Sequence, residues 1–159
     1  MITKKTKTIE DFDQQILDIA RVTRVVAGGK RLSFRATVAI GDKNGHRVGI
    51  GVSKGKDVSQ AIEKAINEAK KNLIEVPIKD NTIPFEVYVK YQAAEVILKP
   101  SQKGKGIIAG GAVRSILQLA RIPNVTAKIL GKTSNAINNA RATLLALQKL
   151  NIKQEEETK

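Results

Sequence analysis

Arg31-Leu32-Ser33-Phe34-Arg35-Ala36-Thr37-Val38-Ala39-Ile40 alternates along its length, with Leu32, Phe34, Ala36, Val38 and Ile40 on one face and Arg35 and Thr37 on the other. The pattern predicts a half-buried strand with a polar outer face. Asp42-Lys43-Asn44-Gly45 then supplies turn chemistry, because Asn and Gly tolerate positive φ. His46 to Val52 returns as a partner strand, Val48, Ile50 and Val52 alternating with Arg47, Gly49 and Gly51. Upstream, the Gly28-Gly29 pair breaks the chain, and Arg21 to Val26 is β-branched and extended, which makes three antiparallel strands.

Helices are expected on both sides of these strands. Glu10 to Ile19 places Phe12, Ile16 and Ile19 at helical spacing. Asp57 is a candidate N-cap with Gln60 three residues on, and Ile62, Ala65, Ile66, Ala69 and Leu73 form one apolar stripe that should end near Glu75, before Pro77. The order α-β-β-β-α resembles a double-stranded-RNA-binding domain. With the helix on one face, the other face would present Arg35, Arg47 and the glycines to an approaching backbone.

The second half reads as a separate α+β unit. Phe85 to Lys90 and Ala93 to Lys99 are expected strands, Pro100 to Gly111 a glycine- and lysine-rich loop, Ala112 to Ala120 a helix, and Asn124 to Leu130 a further strand. Asn135 or Ser134 should cap a last helix whose Ile137, Ala140, Leu144 and Leu147 line a core stripe. The expected domains are therefore residues 9–75 and 76–152, followed by a flexible charged tail over 153–159.

At 159 residues the chain can bury roughly 70% of its unfolded surface. Lysine and arginine number 28 against 15 acids, a net charge of +13 that attracts polyanions. The placement is more telling than the total. Between Arg21 and Lys56 the only acid is Asp42, and between Val96 and Gln154 there is none, while the middle segment is balanced. Aromatics are only 3%, which argues against stacking of many unpaired bases and leaves shape and phosphate recognition. With no cysteine and the single His46, a zinc ribbon, a disulfide framework and a histidine-rich metal site are excluded, and no metal or cofactor is expected. The chain shows neither a signal-type h-region near Met1 nor 18 consecutive apolar residues, so it reads as cytoplasmic, without a membrane partner.

Enzyme motifs fail on their own requirements. Gly104-Lys105-Gly106-Ile107-Ile108-Ala109 matches G-x-G-x-x-A, yet the acid needed for a ribose about 20 residues on is missing. Gly131-Lys132-Thr133 mimics the end of a P-loop, but Thr126 stands where the first glycine is required. No G-x-x-G supports a KH clamp, the aromatics of an RNA-recognition motif are absent, and His46 sits in a turn without triad partners.

What remains is glycine beside cation, repeated in Gly28-Gly29-Lys30-Arg31, Lys54-Gly55-Lys56 and Lys103-Gly104-Lys105-Gly106. Such loops can lie against phosphates, donating amides as well as charge.

Two longer runs then carry a resemblance. The first is Arg21-Val-Thr-Arg-Val-Val-Ala-Gly-Gly-Lys-Arg-Leu-Ser-Phe34 with Gly41-Asp42, Asn44-Gly45 and Val48-Gly49-Ile50-Gly51; the second is Gly104 to Arg114, with Asn124-Val125, Asn135-Ala136-Ile137-Asn138 and Arg141-Ala142-Thr143. Over about Arg21 to Leu147 the chain resembles the bacterial small-subunit ribosomal protein five family. Ala27 departs from the family's lysine before the glycine pair, Ala136 from its proline, and His46 lengthens the hairpin turn.

The resemblance implies a double-stranded-RNA-binding-like domain followed by an α+β domain with a left-handed β-α-β crossover, in a structural, non-enzymatic constituent of the small subunit. It implies contact with 16S ribosomal RNA through Arg21, Arg24, Gly28, Gly29, Lys30, Arg31, Arg35, Lys43, Asn44, Arg47, Lys54 and Lys56, joined by Lys103, Lys105 and Lys132. Gly104, Gly106, Ile107, Gly110, Gly111 and Arg114 would face small-subunit protein four. Protein eight, with protein three nearby, and messenger RNA near the entry channel are the other implied partners, with a role in body and head assembly and in decoding accuracy. The Gly28-Gly29-Lys30-Arg31 turn would reach toward the head, near the family's spectinomycin site. The alternative is a free-standing double-stranded-RNA-binding regulator or RNA chaperone, which leaves the second domain's motifs unexplained.

Overall fold

A computed structural model of the chain describes residues 12–43 and 46–157. The start of the expected first helix, at Glu10, and Asn44 of the hairpin turn lie outside the described residues. The fold is mixed α+β, with two four-stranded sheets and three helices among the described residues.

The first sheet is antiparallel and ordered β1 (Phe12–Val26), β2 (Gly29–Asp42), β3 (Arg47–Gly55) and β4 (Ile74–Glu75). From Phe12 onward the expected first helix is instead the leading half of β1. The reason is a bulge. The register against β2 shifts between Ile16 and Asp18, so Ile16 stands opposite Val38 and Ile19 opposite Ala36, both on one face. One extra residue thus turns a strand's step of two into a step of three, which imitates a helix.

Helix α1 (Val58–Lys71) covers one face of this sheet. Its Ala61, Ala65, Ile66 and Ala69 pack on Ala36, Val38 and Ile40. Asp57 is the N-cap residue but makes no side-chain cap bond, while Gln60 Oε1 accepts from the Lys56 amide at 3.3 Å. The helix stops earlier than its apolar stripe suggests: Asn72 ends it, its amide donating to Ala69 O at 3.1 Å, and residues 74–75 pair with β3.

The glycines of β3 correct a second expectation, because they turn toward α1 and away from solvent. A Cβ on Gly55 would lie 2.6 Å from Ala61 N, one on Gly49 2.5 Å from Ala69 O, and one on Gly51 would collide with the Ala65 carbonyl. Small residues on both surfaces let helix and sheet approach closely.

The second sheet has the order β5 (Val87–Tyr91), β6 (Ala94–Pro100), β8 (Val125–Ile129), β7 (Ile107–Ile108). Only β7 and β8 run parallel, joined through α2 (Gly111–Leu119) as a β-α-β unit. The short β7 lies within the expected loop at 100–111. Helix α3 (Ala136–Glu157) is capped as expected by Asn135, whose Oδ1 accepts from Ile137 N at 3.0 Å. It runs to Glu157, into the stretch read as a tail.

One apolar cluster joins the two halves: Ala39, Val48 and Ile50 from the first sheet pack with Val89, Leu98, Val113, Leu117 and Leu147. The sheet face expected to be open is therefore the one buried against α2 and α3, and a Cβ on Gly41 would strike the Leu119 backbone. Only beyond that cover is the sheet free.

Candidate nucleic-acid interface

β3 ends at Gly55, opposite Phe34, whereas β1 and β2 stay paired from Arg21↔Phe34 out to Val26↔Gly29. The outer part is a two-stranded arm, Val22 to Ser33, that reaches past the rest of the sheet. Two-residue turn geometry closes it at Ala27-Gly28, and Gly29, with φ +134°, has a conformation that side-chain-bearing residues rarely adopt. Gly28 is different: its φ is not positive, and a Cβ there would meet nothing within 4 Å.

The arm carries exposed Arg24, Lys30 and Arg31, with Arg21 at its base, and no acid occurs between Asp18 and Asp42. Arg24 and Arg31 are cross-strand partners. Val25, 76% exposed, and Leu32, 52% exposed, alternate with the cations. Among the described residues no carboxylate pairs with this cationic ribbon, which leaves its charge open to a polyanion.

Two other expected RNA contacts are engaged inside the protein. Arg35, half-buried on the face turned to the second half, pairs with Asp18 at 3.5 Å. Arg47 holds the buried Asp42 through both Nε, at 3.0 Å, and Nη2. A buried carboxylate needs such a partner, so the pair stabilises the hairpin between β2 and β3. Asp18 was not singled out in the sequence and Asp42 stood there only as a turn and motif residue, since their pairing roles arise from strand register and the hairpin. Lys43, Lys54, Lys56, Lys103, Lys105 and Lys132 are exposed.

The loop with Lys103 and Lys105 is held from beneath by Asn124, a buried residue whose sequence context marks it as a strand start and a motif residue but not as the loop's anchor. Its Oδ1 accepts from the amides of Gly104 and Gly106, both at 3.0 Å, while its Nδ2 donates to Asn81 O at 3.2 Å. Gly104 and Gly106 have φ of +90° and +68°. The amides that a dinucleotide turn would offer to a pyrophosphate are thus already bonded. Gly110 and Gly111 open α2, Arg114 is exposed on it, and Ile107 packs on the core. Thr133, of the P-loop-like triplet, accepts from Asn135 N at 3.2 Å and belongs to the start of α3.

Some cations of the second half are matched. On the outer face of the second sheet Lys99 pairs with Glu86 at 3.2 Å and Lys90 with Glu95 at 2.9 Å. The hydrogen bond from Lys90 lowers the Glu95 pKa and raises that of Lys90. Partial desolvation, then the hydrogen bond with Glu95, raises Tyr88. A cleft of about 370 Å³ between α1 and α3 is lined partly by Glu68, Tyr91 and Arg141. These groups are also occupied, Glu68 accepting from Ser53 Oγ at 3.2 Å and Arg141 donating to Tyr91 Oη at 3.1 Å. His46 stands at the β2–β3 turn, its Nδ1 3.3 Å from Ala120 O, and its carbonyl accepts from Val76 N at 2.8 Å. Among the described residues no group of three His, Cys, Asp or Glu could hold a metal ion, and no helix is long and apolar enough to cross a membrane.

Comparison with known proteins decides what this arrangement belongs to. Residues 12–77 match the family model described as ribosomal protein S5, N-terminal domain, and residues 89–158 match ribosomal protein S5, C-terminal domain. The small ribosomal subunit protein uS5 of Thermotoga neapolitana is 49% identical over 141 residues, covering 89% of this chain and 78% of that protein. The chain belongs to the ribosomal protein S5 family. The uS5 of Thermotoga maritima is 48% identical over the same 89% of this chain and 78% of its own length. Membership in the S5 family makes this a ribosomal protein, structural and not enzymatic, and it accords with a fold in which every enzyme-like motif serves as a cap or a turn.

Proposed function

We propose that the chain is a constituent of the small ribosomal subunit in the cytoplasm, where it binds folded 16S ribosomal RNA. The observation that carries this reading is the β1–β2 arm, whose Arg24, Lys30 and Arg31 project beyond β3 with no carboxylate among them. Phosphates supply the charge that the arm lacks, and their binding displaces counterions. Lys43, Lys54 and Lys56 extend the contact along the sheet, with Asn44 assigned to the same turn. Lys103, Lys105 and Lys132 add a second basic zone on the C-terminal unit.

In this reading residues 9–75 and 76–152 are two domains held in fixed relation by their shared apolar cluster. Gly104, Gly106, Ile107, Gly110, Gly111 and Arg114 meet small-subunit protein four, with proteins eight and three as neighbours. That placement supports body and head assembly, decoding accuracy and the messenger RNA entry channel. Support comes from family membership and from a loop preorganised by Asn124.

Sedimentation of tagged protein on a sucrose gradient tests the proposal. Co-migration with small subunits is expected. A position only in the light fractions would contradict it and favour a free-standing RNA-binding regulator.

A further inference from the structure

Ser33, Lys54, Gly55, Lys56, Gln60 and Lys64 line a cleft of about 370 Å³ where the base of the arm, the end of β3 and the first turns of α1 meet. Lys64 belongs to the charge-balanced middle of the sequence and nothing in its local pattern marks it. It reaches the cleft because it follows Gln60 by four residues, one turn along the same side of α1. Gln60 itself closes the floor by accepting from the Lys56 amide at 3.3 Å.

None of the three lysines enters an ion pair among the described residues, although five other pairs form. Glu68, the next residue in the Gln60–Lys64 row, instead accepts from Ser53 Oγ at 3.2 Å. Asp57, between Lys56 and α1, does not line the cleft. Three lysines and Ser33 thus line the cleft from three elements, and no acid lines it.

We infer that Lys64, with Lys54, Lys56 and Ser33, forms a seat for the phosphodiester backbone of folded RNA. The cleft's lining is more polar than apolar and carries three lysines and no acid, which suits a repeating backbone of phosphates. Ser33 also belongs to the arm, and Lys54 stands opposite Arg35 in the sheet, so the seat continues the arm's basic surface. The inference rests on the RNA-binding reading and assigns a residue that reading did not include.

The test uses the full chain, a small-subunit ribosomal RNA transcript and Kd measured across a salt series. Lys64→Ala should weaken binding about 5- to 10-fold and make the slope of log affinity against log salt shallower by about 1. Lys149→Ala, an exposed lysine on α3, should change neither. Equal behaviour of Lys64→Ala and Lys149→Ala, with Arg24→Thr still weakening binding, would overturn the seat and leave the RNA reading intact. Absence of salt-dependent binding by the wild-type chain would remove both. Calorimetry with inorganic phosphate alone should show at most millimolar binding; tight one-to-one uptake abolished by Lys64→Ala would identify a free-anion site instead.

Discussion

Arg24 and Arg31 face each other as direct cross-strand partners near the end of a two-stranded ribbon, both exposed and without a carboxylate beside them. Like charges so placed oppose pairing of the strands by about 0.2–1 kcal/mol. A protein folded only for its own stability gains nothing from this arrangement. In the proposed reading, an RNA phosphate between the two guanidinium groups would reverse its sign.

Relieving that repulsion should separate stability from binding. Arg24→Thr keeps strand propensity, so the melting temperature at low salt should hold or rise slightly, and the difference should vanish at high salt, where charges are screened. The same variant should bind the ribosomal RNA transcript more weakly than wild type. Parallel loss of stability and binding would show that Arg24 serves the fold.

Glycines at the two ends of the sheet should respond in opposite ways. Gly51→Ala drives a Cβ into the Ala65 carbonyl and should cost about 1–3 kcal/mol, lowering the melting temperature by about 2–4 °C for each kcal/mol. Gly28→Ala meets open space at an ordinary φ and should leave the free protein's melting unchanged. Gly29→Val, at φ +134°, should destabilise the arm turn.

Asn124→Ala should release the loop above it. Two amides, Gly104 and Gly106, lose their acceptor, at a cost of about 1–3 kcal/mol, and hydrogen exchange at both positions should accelerate. Unchanged exchange would mean that the strand β7 alone holds the loop.

The Tyr88, Lys90 and Glu95 group gives a pH signature. Glu95 has a lowered pKa, so its contribution to stability is present above the ordinary carboxylate range and is lost as pH falls through the lowered value. Lys90 is raised, so its contribution is complete below the ordinary lysine range and is lost as pH rises through the raised value. The pair therefore holds across neutral pH. Glu95→Gln should move the Tyr88 ultraviolet titration back toward the ordinary tyrosine value, though not fully, because desolvation is the larger cause.

These residues also mark what sequence could reveal. The β2 alternation, the α1 stripe, the Asn135 cap and the acid-free arm are local patterns and were legible. The leading half of β1 was hidden by its bulge, which spaced Ile16 and Ile19 like helix neighbours. The β3 glycines were read as an open surface because their true neighbour, the α1 backbone, is an element away in the chain. That Arg35 and Arg47 pair within the chain has no local signal, since only strand register and the β2–β3 hairpin bring Asp18 and Asp42 to them. Lys64 reaches its cleft and Asn124 its loop because of where α1 and the start of β8 sit, which no local pattern announces.

The most direct test of the charge-driven RNA contact is the affinity of the isolated chain for the small-subunit ribosomal RNA transcript as a function of salt. With roughly 6 phosphates neutralised, log affinity against log salt should fall with a slope of about −4 to −5. A flat response would contradict the account.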